Sequence, residues 1–263
     1  MASSAMTPTL TVTRLDTPAE VTEMAFQIVQ RVATDAISFG SRFVMGLAGG
    51  STPRGLYERM ARRPEALPWS STHLIFGDER CVAPDHPRSN YRMAHETLLS
   101  HLDPAPCDVL RMEGERAPDD AARRYEDRLR QLFPRANWPP IDLLLLGVGN
   151  DGHTASLFPG SVALEEECRW VVDGTGPDGD TEDRRLTLTM PVLRAARHVV
   201  FLVTGRDKAS VVAQAFAGEP HETPYPVEAL LPPTCPIDLL LDRDSAAEIN
   251  PASPGSSSSP RRA

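Results

Sequence analysis

Lysine is almost missing from this 263-residue chain. Of its 27 basic residues, all but Lys208 are arginines, and 36 acidic residues bring the formal net charge to −9. A negative chain disfavours a general nucleic-acid surface, and it repels an anionic ligand unless positive charge is gathered locally. We therefore expect no nucleic-acid partner, and any anion site should show a local cationic cluster.

Paired cysteines and long apolar runs are missing as well. The four cysteines include no CxxC pair, and no apolar run approaches the ~20 residues that span a bilayer. The first residues do not resemble a secretory signal peptide. These absences predict a cytoplasmic protein with reduced thiols and no membrane association. His95, Glu96 and His101 fail the HExxH spacing, and the sequence predicts no metal site.

Strand-length apolar runs alternate with amphipathic helical stretches along the chain. This alternation is typical of an α/β fold, in which a mostly parallel sheet carries helices on both faces. The absence of a convincing linker predicts one domain over residues 1–250, and the Ser/Pro-rich residues 251–263 are expected to form a disordered tail. Predicted strands cover residues 10–15, 42–48, 72–76, 109–112, 141–146, 186–189, 199–204 and 237–241, and predicted helices cover 18–39, 90–102, 119–133, 207–216 and 245–249.

Four of the predicted strands end in residues that can bind or react. In open α/β sheets ligands bind at the carboxyl ends of strands, so these four ends can converge on one site. The first is Gly49-Gly50-Ser51-Thr52, whose glycines expose amide groups, with Pro53 suited to the first helical position. This pattern predicts a phosphate-binding helix start, or a capped helix after a tight turn, and without a following lysine it is not a Walker loop.

Charged residues follow two further strands. Asp78, Glu79 and Arg80 come after one of them, where they can form a ligand site or a solvated ion-pair turn. Lys208 opens a predicted helix after another. A lone lysine in an arginine-rich chain indicates a position where a compact ammonium is needed, such as a point charge that binds a phosphate. The alternative is that this single lysine has no special role and remains by chance. Arg185 adds a possible cation next to the strand at 186–189.

The fourth strand end is a glycine-rich turn that carries one histidine. Gly147, Gly149 and Gly152 surround Asn150 and Asp151 and lead to His153. Histidine suits proton transfer near neutral pH, and a carboxylate two residues away can fix its tautomer. The alternatives are a histidine that only satisfies the turn and a dinucleotide loop. The GxGxxG match is weak support for the latter, because the strand is a middle one and Pro159 interrupts the helix that such a loop requires.

Taken together, these motifs resemble 6-phosphogluconolactonases of the type related to glucosamine-6-phosphate isomerase/deaminase. The resemblance covers nearly all of residues 10–249. It rests on the loops above, on Ser89-Asn90, on Arg185-Leu186-Thr187-Leu188-Thr189 and on Thr204-Gly205 with Lys208-Ala209. It implies a Rossmann-like single domain that resembles the deaminase fold.

The resemblance also implies an activity. That activity is hydrolysis of 6-phospho-D-glucono-1,5-lactone in the oxidative pentose phosphate pathway, without metal or organic cofactor, by a monomer or homodimer. His153 corresponds to the catalytic base, with Asp151 close by. The implied substrate and phosphate contacts are Gly49, Gly50, Ser51, Thr52, Asp78, Arg80, Asn150, Arg185 and Lys208.

Two related functions remain as alternatives. A deaminase pattern continues after the histidine with an Asn-Glu-Pro-like ending that supplies an acid, whereas this chain has Leu157-Phe158-Pro159, which disfavours deamination. A non-catalytic sugar-phosphate sensor would keep the phosphate loops. The segment of 17 residues before the predicted first helix is too short for a DNA-binding helix-turn-helix, which disfavours a transcriptional regulator.

Overall fold

The computed structural model describes residues 8–38, 42–174, 183–218, 221 and 223–249. The predicted tail at 251–263 lies outside these residues. The ten strands in the described part are β1 (Leu10–Arg14), β2 (Phe43–Leu47), β3 (Thr72–Phe76), β4 (Asp78–Arg80), β5 (Asp108–Leu110), β6 (Leu143–Leu146), β7 (Val171–Gly174), β8 (Arg185–Leu188), β9 (Val199–Val203) and β10 (Ile237–Leu241). The α-helices there are α1 (Pro18–Ser38), α2 (Ser51–Ala61), α3 (Asn90–Thr97), α4 (Pro118–Leu132), α5 (Met190–Arg194) and α6 (Ala209–Ala217).

Seven strands form one parallel sheet in the order β1-β10-β9-β6-β2-β3-β5. Its central strands are buried on both faces, which explains continuous apolar runs such as Leu143–Leu146. Alternate side chains of β6 enter two different cores, with Leu144 in one and Leu145 in the other. Helices α1, α2 and α3 pack in one core and α4, α5 and α6 in the other. The α/β prediction with helices on both faces is confirmed.

A second, three-stranded antiparallel sheet in the order β4-β8-β7 extends from the end of β3. The amide of Leu188 donates to the carbonyl of Gly77, and this hydrogen bond ties β8 to the segment between β3 and β4. This sheet was not predicted. The segment Asp78–Arg80, expected beyond the end of a strand as a ligand site or a solvated ion-pair turn, is itself a strand that pairs with Arg185–Thr187.

Two predicted helices differ in detail. The helix expected over 90–102 ends at Thr97 and continues as a separate 3₁₀ turn over Leu99–His101. The helix expected over 245–249 is a series of turns. Within the described residues, no helix is long and apolar enough to cross a bilayer.

Candidate active site

A cavity of about 230 Å³ lies at the carboxyl ends of four neighbouring strands, β9, β6, β2 and β3. From β2 the chain continues to β3 on one side of the sheet, and from β6 it continues to β9 on the other side. The cavity therefore lies where the strand order reverses direction. This is the usual ligand position in open α/β sheets. Nine predicted site residues line it, namely Gly49, Gly50, Ser51, Thr52, Asp78, Arg80, His153, Arg185 and Lys208. Asn150 and Asp151 lie just behind this lining, each in contact with one of its members.

The histidine of the glycine-rich turn is held by the neighbouring carboxylate. His153 Nδ1 lies 2.5 Å from Asp151 Oδ1, which also accepts a hydrogen bond of 3.2 Å from the His153 amide. Because a carboxylate accepts, this contact assigns the proton to Nδ1 and leaves Nε2 with a free electron pair. The His153 side chain is 29% exposed and lines the cavity. The pair therefore has the arrangement of an oriented general base.

Two glycines of this turn are required by close contacts. A β-carbon on Gly149 would lie 2.1 Å from His153 Nδ1 and 2.5 Å from Asp151 Oδ1. Gly152 has φ of +75°, and a β-carbon there would meet the ring of Tyr225 at 2.2 Å. The Gly152 carbonyl also accepts a 3.1 Å hydrogen bond from the amide of Val227. The segment at 225–227 thus supports the turn from behind, through contacts that have no signal in the sequence.

The loop after β2 begins helix α2 at the cavity. Gly50 has φ of 101° and ψ of 174°, a conformation open essentially to glycine alone, and the helix starts at Ser51. Pro53 is therefore the third helical residue and not the first, which costs no hydrogen bond because the first four helical amides lack intrahelical acceptors. Thr52 Oγ1 lies 2.9 Å from Thr204 Oγ1, joining this loop to the one after β9. The amides of this helix start are available to an anion.

The charged strand β4 is organised around a buried carboxylate. Glu79 is 2% exposed and accepts hydrogen bonds of 2.7 Å and 2.8 Å from the amides of Asn90 and Tyr91, the first residues of α3. Burial raises the pKa of Glu79. The Glu79 carboxylate therefore caps the start of α3. The Arg80 guanidinium donates to the side-chain oxygen of Asn90. In the sequence Asn90 stands out only as part of the Ser89-Asn90 motif, and its position directly after the Ser89 cap is the signal for this contact.

Asp78 and Arg185 lie on paired strands next to the turn. The Asp78 carboxylate accepts 2.7 Å from Ser156 Oγ and 3.2 Å from Asn90 Nδ2, so both of its oxygens have protein partners. Asp78 thereby links the histidine turn to the segment that orients Arg80. The guanidinium of Arg185 lies 5.5 Å from the ring centroid of Phe158, and that ring lies 4.5 Å from the imidazole of His153. Position 158, where the deaminase pattern has an acid, is therefore occupied by an aromatic ring that packs on the histidine.

Lys208 connects the cationic side of the cavity to the histidine turn. Its ammonium donates a 2.6 Å hydrogen bond to Asn150 Oδ1 and lies 3.9 Å from the exposed Asp207 carboxylate. Among the described residues, the acidic and basic side chains that line the cavity are Arg80, Arg185 and Lys208 against the carboxylate of Asp78. A chain of net charge −9 can bind an anion only where positive charge is gathered locally, and these three cations form such a cluster.

One group of possible metal ligands lies at the opposite, amino edge of the sheet. Ligand atoms of His73, Cys107 and Asp108 lie within 4.8 Å of one another. The Arg42 guanidinium donates to the sulfur of Cys107 and lies 3.4 Å from His73 Nε2. A protein cation thus already contacts two of these three groups.

A family model described as glucosamine-6-phosphate isomerases/6-phosphogluconolactonase matches residues 16–236. The chain belongs to this family. Curated relatives in the isomerase/lactonase family include a Synechocystis 6-phosphogluconolactonase, 39% identical over 87% of this chain and 94% of the relative, and a human 6-phosphogluconolactonase, 36% identical over 85% and 87%. These matches bear out the resemblance drawn from the motifs.

Solved structures of the isomerase/lactonase family have the same architecture. A crystal structure of 6-phosphogluconolactonase from Leishmania guyanensis superposes with a TM-score of 0.79 at 28% identity, covering 92% of this chain and 99% of that chain. A monomeric glucosamine-6-phosphate deaminase superposes with a TM-score of 0.73 at 22% identity, covering 90% and 99%. At that identity the deaminase likeness establishes the fold alone, and it agrees with the predicted deaminase-like fold.

Proposed function

We propose that this chain hydrolyses 6-phospho-D-glucono-1,5-lactone to 6-phospho-D-gluconate, the second step of the oxidative pentose phosphate pathway, with His153 as the general base. The observation that carries the proposal is the oriented Asp151–His153 pair in a cavity with three cationic side chains. The relatives named above carry this activity in their names. The pair supplies a proton acceptor, and the cations supply a counter-charge for a phosphate.

The proposed reaction begins at Nε2 of His153, the ring nitrogen with the free electron pair. Nε2 takes a proton from water, and the hydroxide that forms attacks C1 of the lactone. The tetrahedral oxyanion collapses with breakage of the bond between C1 and the ring oxygen, which receives the proton from the imidazolium. One water is consumed and the histidine is restored. A δ-lactone is an activated ester, so a base worth about 10²- to 10⁴-fold is sufficient without a covalent nucleophile.

The cationic side of the cavity is assigned to the phosphate. Lys208, Arg80 and the start of α2 offer an ammonium, a guanidinium and exposed amides. Binding energy at a remote phosphate positions the reacting carbonyl and contributes to the rate of the chemical step. In this assignment Asn150 aligns Lys208, and Asp78 acts by holding Asn90 and Ser156 in place.

The test is a pair of substrates offered to the purified protein. Freshly generated phosphorylated lactone should be hydrolysed far above its spontaneous opening, and glucosamine 6-phosphate should release no ammonia. Phe158 packs on His153 at the position where a deaminase pattern has its further acid, and this supports the second expectation. Ammonia release, or no acceleration of lactone opening, would overturn the proposal.

A further inference from the structure

An arginine-lined groove opens beside the cavity and shares Gly50, Ser51, Arg80 and Arg185 with it. Its volume is about 690 Å³, against about 230 Å³ for the cavity. Among the described residues, its charged lining consists of Arg54, Arg80, Arg88 and Arg185 against one carboxylate, that of Asp183. These described residues carry four positive charges and one negative charge, a net of +3, on a chain whose formal net charge is −9.

The arginines of this groove differ in exposure from its outer to its inner end. Arg54 is exposed, and the Arg88 side chain is 51% exposed. The Arg185 side chain, shared with the cavity, is only 15% exposed. Positive charge therefore extends from solvent to the cavity, with exposed guanidinium groups at the outer end and a largely buried one at the inner end.

The inner arginines have partners within the protein. Arg80, on β4, donates to the side chain of Asn90 and, at 3.2 Å, to the backbone carbonyl of Arg88. Arg185, on β8, donates to Asp183. Arg88 pairs with Asp183 at 3.1 Å on a half-exposed surface, where an ion pair contributes little stability. In the described part of the chain, no hydrogen bond or ion pair of Arg54 is found. Both outer guanidinium groups are exposed to solvent, where an anion can reach them.

We propose that Arg54 and Arg88 form an outer capture site for the phosphate of the sugar-phosphate substrate, which they draw along the groove toward Arg80, Arg185 and the cavity. The proposal rests on the proposed function for the identity of the substrate. Clefts lined by one sign of charge concentrate ligands of the opposite sign and raise association rates, and the effect falls with ionic strength. A dianionic phosphate gains from this field, whereas a neutral sugar lactone does not.

The experiment compares R54Q/R88Q with wild type on two substrates, the phosphorylated lactone and unphosphorylated glucono-1,5-lactone, across a range of ionic strength. R31Q/R135Q is the matched control, since it removes the same charge from exposed positions toward the amino edge of the sheet. We expect R54Q/R88Q to keep kcat and to lose about three- to tenfold in kcat/KM for the phosphorylated lactone at low salt. The loss should vanish near ~1 M salt, where the Debye length is about 3 Å. The neutral lactone and the control should show no such loss.

Equal losses on both lactones, no loss on either, or a salt dependence identical to that of wild type would overturn the capture site. Calorimetric binding of 6-phosphogluconate separates this result from the proposed function. If wild type hydrolyses no lactone but R54Q/R88Q still weakens 6-phosphogluconate binding in a salt-dependent way, the groove stands and the proposed function fails. If hydrolysis is normal and binding is unchanged in the variant, the function stands and the groove has no part in capture.

Discussion

Lys208 donates a 2.6 Å hydrogen bond to the side chain of Asn150, the residue that precedes Asp151 in the histidine turn. The only lysine of the chain is thereby joined to the segment that orients His153. The cation that we assign to the phosphate and the base that we assign to water therefore share one connected structure.

The Asp151 carboxylate is expected to act through the tautomer of His153. In D151N the amide can present its NH₂ group to Nδ1, which favours the tautomer with the proton on Nε2 and removes the free electron pair from the cavity. We expect kcat to fall by about 10²- to 10⁴-fold, with KM for the phosphorylated lactone changed little. Steady-state kinetics at several pH values measure this. An unchanged kcat would show that Asp151 has no part in orienting the base.

Gly149 is expected to tolerate no side chain. In G149A the new β-carbon meets His153 Nδ1 at 2.1 Å, so the imidazole or the turn must shift. Misplacement of a catalytic group by about 1 Å costs on the order of 10²-fold in rate. The matched control is G174A, because a β-carbon at Gly174 has its nearest contacts at 3.8 Å. Activity retained in G149A and lost in G174A would contradict the contact geometry.

Lys208 is expected to discriminate between phosphorylated and unphosphorylated lactones. K208A should raise KM for the phosphorylated lactone by about 10- to 100-fold, since one charge-assisted hydrogen bond is worth about 1.5–3 kcal/mol. Glucono-1,5-lactone, which lacks the phosphate, should be used nearly as well as by wild type. K208R tests whether a compact ammonium is required, because a planar guanidinium has a different reach and geometry. Equal losses on both lactones would refute the phosphate assignment.

Cys81 is expected to resist alkylation although it directly follows Arg80. Burial raises the pKa of Cys81 to about 11, so its thiol stays protonated in the folded chain at about pH 8, and only the thiolate is reactive. Cys168 is exposed and should react first with iodoacetamide. Peptide mass spectrometry follows each site, with urea-unfolded protein as the reference for full reactivity. Early labelling of Cys81 would contradict its burial.

The same raised pKa predicts a loss of stability in alkali. An unfolded-chain cysteine loses its proton near ~8.5, whereas Cys81 keeps its proton up to about 11 when folded. Between these values the folded state binds more protons, so the contribution of Cys81 to the free energy of unfolding is present below ~8.5 and falls as pH rises. Urea unfolding at about pH 8 and 10 should show a smaller decrease for C81A than for wild type. Equal decreases would show that Cys81 is not the titrating group.

The sequence predicted the main sheet and the convergence of the four loops because these depend on local patterns. A buried strand is predicted by the apolar run Leu143–Leu146 alone, and a tight turn is predicted by the glycines that follow it. Neither prediction depends on the rest of the chain. Strand β4 is different, because Asp78–Arg80 is charged and has no apolar alternation. It becomes a strand through pairing with Arg185–Thr187, which lies far away in the chain.

The residues that hold the candidate site in place could not be predicted from the sequence, for a similar reason. Tyr225 acts on the histidine turn through its contact with Gly152, and Ser156 acts through its hydrogen bond to Asp78. A tyrosine or a serine in an irregular segment carries no sign of its partner. The residues that line the cavity were predictable by type and by position at a strand end, whereas the residues that hold them in place required the tertiary structure.

The central claim is that His153 activates water, and its most direct test is the turnover of H153Q on freshly generated phosphorylated lactone, corrected for spontaneous opening. Glutamine cannot accept a proton from water at neutral pH, so kcat should fall by about 10²- to 10⁴-fold. Binding of 6-phosphogluconate, measured by calorimetry on the same preparation, should stay within a few-fold of wild type. An H153Q variant that turns over the lactone at the wild-type kcat would contradict the account.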